Sequence, residues 1–168
     1  MPEGYQSVLI KDDQVQESDS WIFLDKDATD YPSSGAVVVP LSLWVDQRTA
    51  LLARGNCAVW LDSEQEPEPL AEDLEQLSMI AINFPVFSDG RAYSYARRLR
   101  QLGYQGEVRA IGDVLPDQLH YMTRCGFNAF ELRGDKNSEA AFLQKSSITV
   151  AYQAAHDQSK PLFARREQ

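Results

Sequence analysis

Two histidines and two cysteines are all that this chain of 168 residues has of the side chains most used for nucleophilic attack, proton transfer at neutral pH and soft-metal ligation. Cys57 and Cys125 lie far apart, with no CxxC and no histidine at ligand spacing, so no disulfide framework, zinc site or iron–sulfur site is encoded. Both read as core thiols. His120 falls mid-helix beside Leu119, Tyr121 and Met122, and His156 falls in the tail, which leaves a Ser-His-Asp or Cys-His arrangement without support. No GxGxxG follows a first strand and no GxxxxGK[ST] occurs, so a dinucleotide fingerprint and a phosphate loop are both missing and no cofactor is identified.

Long apolar runs are missing too. Nowhere do about 18 apolar residues run together, and Met1 to Gln6 lacks a basic stretch leading into an apolar one. The expectation is a cytoplasmic protein without a membrane partner. Bases are outnumbered by acids, 16 to 25, for a net charge of −9 that repels a phosphate backbone and argues against nucleic acid as a partner. Residues 1–90 hold 17 acids and 4 bases, whereas residues 91–168 hold 8 acids and 12 bases, so the acid is concentrated in the front half.

What is present is an alternation of strand and helix signals. A chain of this length fits one domain, since ~150 residues suffice to bury roughly 68–70% of the unfolded surface. Its expected parts are a β-meander and loop at 1–35, a βα core at 36–147 and a tail at 148–168. Ser7 to Ile10, Val15 and Trp21 to Leu24 read as the meander strands around the turn at Lys11-Asp12-Asp13. The continuous apolar run Ala36 to Val39 reads as a buried strand, and Cys57 to Leu61, Met79 to Ile82, Glu107 to Ile111 and Phe127 to Leu132 read as the strands that follow it.

Helices are expected between them. One is capped by Ser42, and a short one covers Leu70 to Leu77. Another runs from Arg91 to Leu102, with Tyr93, Ala96, Leu99 and Leu102 on one face and Gly103 beyond its end. The next carries the stripe Leu115, Leu119, Met122 and Cys125 and stops at Gly126, and a last one starts at Ser138. Repeated βα units imply an α/β fold with a mainly parallel sheet, either open or curled as a partial TIM-like barrel.

Ligands of such sheets bind at the carboxyl ends of the strands. There, Ser88, Asp89, Gly90 and Arg91 form a strand-to-helix turn whose free N–H groups and guanidinium suit an anion, or else simply cap the helix. Arg97 extends the basic face of that helix, with Arg98 and Arg100, and Arg109 on the next strand could add to it. Asp113 and Gln118 flank the following turn, either as ligand-orienting groups or with Asp113 as N-cap and Pro116 in the first helical turn.

Three blocks carry a resemblance. FPVFSDGRAYSYARRLR at 84–100, GEVRAIGDVLPDQL at 106–119 and RCGFNAF at 124–130 are similar to FPxFxDGRxYSxARxLR, GELRAxGDVLRDQL and RCGFDAF of the bacterial domain-of-unknown-function family 934. Members of that family are commonly labelled oxidoreductases of sulfite reduction. Pro116 stands where the family often has arginine and His120 where it often has an aromatic, so neither reads as an obligatory catalytic residue. The resemblance implies a role near sulfite reductase, or near a neighbouring enzyme of sulfate assimilation, as an accessory partner. A small-molecule enzyme or anion binder with its site at the carboxyl edge is the competing expectation. Whether the chain is catalytic stays open at this stage, as does homo-oligomer formation.

Overall fold

The computed structural model describes residues 7–16, 18–133, 151 and 153–165. Strands β1 (Ser7–Lys11), β2 (Gln14–Gln16) and β3 (Trp21–Phe23) precede β4 (Ala36–Pro40), which runs directly into helix α1 (Leu41–Arg54). Then come β5 (Cys57–Leu61), β6 (Met79–Phe84), α2 (Arg91–Gln101), β7 (Glu107–Gly112), α3 (Leu119–Cys125) and β8 (Ala129–Arg133).

All eight strands form one sheet in the order β2-β1-β8-β7-β6-β5-β4-β3. From β3 to β8 each strand is parallel to the next, while β1 is antiparallel to both β8 and β2. The hairpin of β1 and β2 agrees with the expected meander, but β3 does not continue it. It pairs with β4 at the opposite edge, because Trp21-Ile22-Phe23 finds its apolar neighbours in Ala36, Val37 and Val38.

Because β3 to β8 are sequential neighbours, crossovers of one hand place the helices on one face of the sheet. That face holds the larger core: Val37, Val39, Val59, Leu61, Ile80, Ile82, Phe84, Val108 and Phe130 pack on Trp44, Leu51, Ala96, Leu99, Leu119 and Met122. Each of the large aliphatic side chains there contributes about 1.5–3 kcal/mol by leaving water. The opposite face carries a second cluster of Val38, Ala58, Met79 and Ala81, against which Trp21, Phe23, Trp60 and Ile111 pack.

The sheet curls around this second cluster into a half-barrel. Phe23 on β3 lies under the guanidinium of Arg109 on β7, with its ring centroid 5.8 Å away, although three strands intervene in the sheet order. Small side chains at Ala58 and Ala81 leave room in the concavity for that approach.

Local chemistry departs from several expectations. Helix α1 starts at Leu41, not after a Ser42 cap, because Pro40 already has the extended backbone of a helix-preceding residue (φ −64°, ψ 152°). The helix expected over 70–77 is instead two 3₁₀ turns, Glu68–Leu70 and Leu74–Gln76. Asp73 between them is fully buried, accepting bonds from Trp44 Nε1 at 3.1 Å and from Arg48 at 2.7 and 3.0 Å. Helix α2 ends as expected, with Gly103 at φ +93°, and Gly126 closes α3 at φ +120°. The helix expected from Ser138 lies outside the described residues. Among the described residues no helix is long and apolar enough to cross a membrane.

Candidate functional site at the carboxyl edge of the half-barrel

The residues singled out at 88–91 and 113–118 come together, but around a loop and not around a cavity. β6 ends at Phe84, which is in register with Gly112 of β7, and the Asp113 N–H donates to the Phe84 carbonyl at 2.8 Å. Asp113 Oδ2 accepts from the Phe87 N–H at 3.0 Å, and Gln118 Nε2 donates to the Phe87 carbonyl at 2.8 Å. Both backbone groups of Phe87 are therefore tied down by side chains from the neighbouring βα unit. Asp113 is not a helix N-cap: a 3₁₀ turn, Pro116–Gln118, leads into α3, and the Asp113 carboxylate instead reaches across to the β6–α2 loop.

Asp89 Oδ1 accepts from the Arg91 N–H at 3.0 Å and from Arg91 Nε at 3.1 Å, and the Arg91 terminal nitrogen donates to Asp89 Oδ2 at 2.7 Å. The same arginine reaches Ser63 Oγ at 3.2 Å. Arg91 holds the Asp89 carboxyl below its ordinary range, first through its side-chain hydrogen bonds. The helix start that could have met an external anion is thus occupied by the protein's own carboxylate. Ser88 is exposed at the loop, and Gly90 takes a right-handed backbone (φ −81°) with open space where a Cβ would stand, so its conformational freedom is not used.

Arg97 does not join this group. It lines a cleft between α2, α3 and the chain at 151 and 153–156. Arg109 does not extend the basic helix surface either: strand alternation turns it to the concave face, where it is buried and ion-paired with Glu107 and Asp19. Lys11 joins the same network through Glu107 at 2.7 Å. Burial works against the Arg109 charge, but the two carboxylates outweigh it and raise its proton affinity.

The concave face does open as a cavity, of about 370 Å³, at the carboxyl ends of the strands. Its lining includes Phe23 and Lys26 near the end of β3, Trp60 of β5, Asn83 of β6, Ile111 and Gly112 of β7, and Glu131 of β8. Trp60 Nε1 donates to the Leu24 carbonyl at 3.0 Å and so fixes one wall. Lys26 and Asn83 both donate to Asp62. Burial opposes the charged form of Asp62, yet the bonds from Lys26, the Ser63 N–H and Asn83 win, and its carboxyl stays below the usual range.

Glu131 is half-buried at the opposite side, and its carboxylate has no hydrogen-bond or ion-pair partner among the described residues. Among those residues no group of three or more His, Cys, Asp or Glu side chains gathers as it would to hold a metal ion.

Sequence reasoning missed Lys26, Asn83 and Glu131. The signal for the last two was a single polar residue inside an apolar strand, Asn83 in MIAINF and Glu131 in AFELR, at the inward parity near the carboxyl end.

Fold and site define an α/β half-barrel protein whose strand-to-helix loops gather at one acidic edge beside a small cavity. The chain belongs to the DUF934 family, bacterial proteins of unknown function, whose sequence profile matches residues 58–163. No curated protein and no solved structure matches it.

Proposed function

We propose that the protein is an accessory protein of assimilatory sulfite reduction that docks on sulfite reductase with the carboxyl edge of its half-barrel. The link to sulfite reduction is what the resemblance of the blocks at 84–100 and 106–130 implies. The docking mode rests on one observation. Phe87, clamped through its N–H and its carbonyl, holds a ring that is 50% exposed beside an equally exposed Val86.

An exposed aromatic ring on a fixed backbone has only its two side-chain torsions to lose when it enters a partner's pocket, which is the property of an interface anchor. On the same edge, the stretches 24–27, 62–67, 85–91 and 113–115 carry Asp25, Asp27, Asp62, Glu64, Glu66, Asp89 and Asp113 against Lys26 and Arg91 as bases. The partner surface that fits is basic around an apolar pocket, and complementary charge speeds encounter.

A pull-down with the sulfite reductase hemoprotein at low and moderate salt tests this. Retention at micromolar concentration, weakening as salt rises, is the expected result. Phe87→Ala should lower the affinity about 30-fold or more, the effect of losing a hot spot of ~2 kcal/mol. Its own stability should stay within about 0.5 kcal/mol of wild type, because the ring is exposed. No retention of the wild-type chain would sink the reading.

A second reading is favoured by the cavity and by the open carboxylate of Glu131. With Lys26 engaged by Asp62, the free group facing the cavity is an acceptor, so the fitting ligand is a small molecule bearing amine or hydroxyl donors, stacked on Trp60. Thermal-shift screening of small amines and polyols beside sulfite, NADPH and flavins is expected to single out a donor-bearing compound. Its effect should disappear in Glu131→Gln; a flat panel removes this reading and leaves the docking one standing.

A further inference from the structure

Among the described residues, the arginines of this acidic protein are, with one exception, hydrogen-bonded or ion-paired. Arg48 pairs with Glu72 and Asp73, Arg91 with Asp89, Arg98 with Glu68 and Arg109 with Glu107 and Asp19. Arg54 and Arg100 each donate to several backbone carbonyls, and Arg165 to Gln158 and the Ala151 carbonyl. Arg97 alone has no hydrogen-bond or ion-pair partner among the described residues.

It lines a cleft of about 480 Å³ together with Tyr121, Arg124, Cys125 and His156, closed on one side by the chain at 153–156. Arg124 gives one terminal nitrogen to the Gln153 carbonyl at 2.6 Å and has no carboxylate partner. Tyr121 is exposed, its side chain shares a hydrogen bond with that of Cys125, and its ring is steadied by Tyr93 at a centroid distance of 5.2 Å. Burial pushes the Cys125 thiol up, while Tyr121, Arg97 and Arg124 pull it the other way. Among the described residues, exposed Asp157 is a carboxylate whose field reaches Cys125 and His156.

We infer that this cleft binds a small oxyanion of the sulfate or phosphate class, held between the guanidiniums of Arg97 and Arg124 with the Tyr121 hydroxyl as a further donor. Two guanidiniums present planar forks of N–H groups that match such an anion, and neither has a carboxylate of its own to displace. The site is on the helical side of the sheet, six residues along α2 from its Asp89-occupied start, and it does not rest on the docking proposal.

The test uses the full chain with inorganic sulfate and phosphate as probes, against chloride at matched ionic strength. Sulfate and phosphate are expected to raise the unfolding midpoint with a saturable dependence on concentration, and chloride is not. Arg97→Gln should weaken the apparent affinity about 10- to 100-fold, the effect of losing a hydrogen bond to a charged group, while Arg98→Gln, on the Glu68-paired neighbour, should leave it unchanged. A second readout is maleimide labelling of Cys125, which bound anion should slow in wild type and not in Arg97→Gln; Cys57 is buried and adds little background.

Sulfate also stabilises proteins by exclusion from their surface. Equal stabilisation of wild type and Arg97→Gln, no stabilisation at all, or labelling of Cys125 indifferent to the anion overturns the proposal.

Discussion

Arg109→Ala is expected to lower the unfolding free energy by about 3–5 kcal/mol, read as an earlier urea midpoint with an unchanged slope. Arg109 is 2% and Glu107 6% exposed at the side chain, and they meet at 2.7 Å on the concave face of the sheet. Removing the guanidinium strands the Glu107 carboxylate in a place where water cannot replace it, and it removes the cation that sits over Phe23. Lys11, which also reaches Glu107, is 40% exposed and compensates only in part.

The double variant Glu107→Gln, Arg109→Met should recover most of the loss. An apolar side chain of similar length packs against Phe23 without a desolvated charge, and Asp19 and Lys11 both retain access to water. A cost below about 1 kcal/mol for Arg109→Ala would mean that the network holds nothing together.

Gly112→Ala should cost at least about 2 kcal/mol, because two penalties coincide. Gly112 has φ +89°, where a Cβ is strained against the following carbonyl. A Cβ there would also stand 2.4 Å from the Phe84 carbonyl oxygen and 2.5 Å from Asn83 Oδ1, with backbone on one side and a wall of the cavity on the other. The strands must part or Asn83 must leave Asp62, and either movement loosens the Asp113 clamp on Phe87.

Gly90→Ala is the matched control. It has φ −81° and empty space around it, so the substitution should be neutral or stabilise by about 0.4–1 kcal/mol through the unfolded chain. Thermal melts of the two variants side by side distinguish a glycine the backbone requires from one it tolerates.

These two glycines show how far the sequence could be read. Asp89-Gly90 and Gly112-Asp113 have the same composition, and both lie where a strand gives way to the next helical unit. Nothing local says that the first glycine is dispensable and the second is pressed against the neighbouring strand. The difference arises because Gly112 is in register with Phe84, a contact between residues far apart in sequence. Asp113 and Gln118 were legible as a pair at one turn, but their common target, the backbone of Phe87, belongs to another βα unit. Arg109 read as one more surface base until the strand's alternation placed it on the concave face.

The order of the strands and of α1, α2 and α3 follows from the sequence alone, since runs of strand length alternate with a helical stripe such as Ala96 and Leu99, and Gly103 and Gly126 end α2 and α3. These are signals carried within about a dozen residues by backbone geometry and side-chain periodicity. The scarcity of histidine, cysteine and glycine motifs is likewise a property of the sequence.

Only the tertiary structure decided that β3 leaves the N-terminal hairpin for the far edge, that the sheet curls until Phe23 meets Arg109, and that the anion-suited helix start is filled by Asp89. Each of these depends on which distant surfaces bury one another and which charges find partners, and those free energies are settled by the whole packed chain and not by any segment of it.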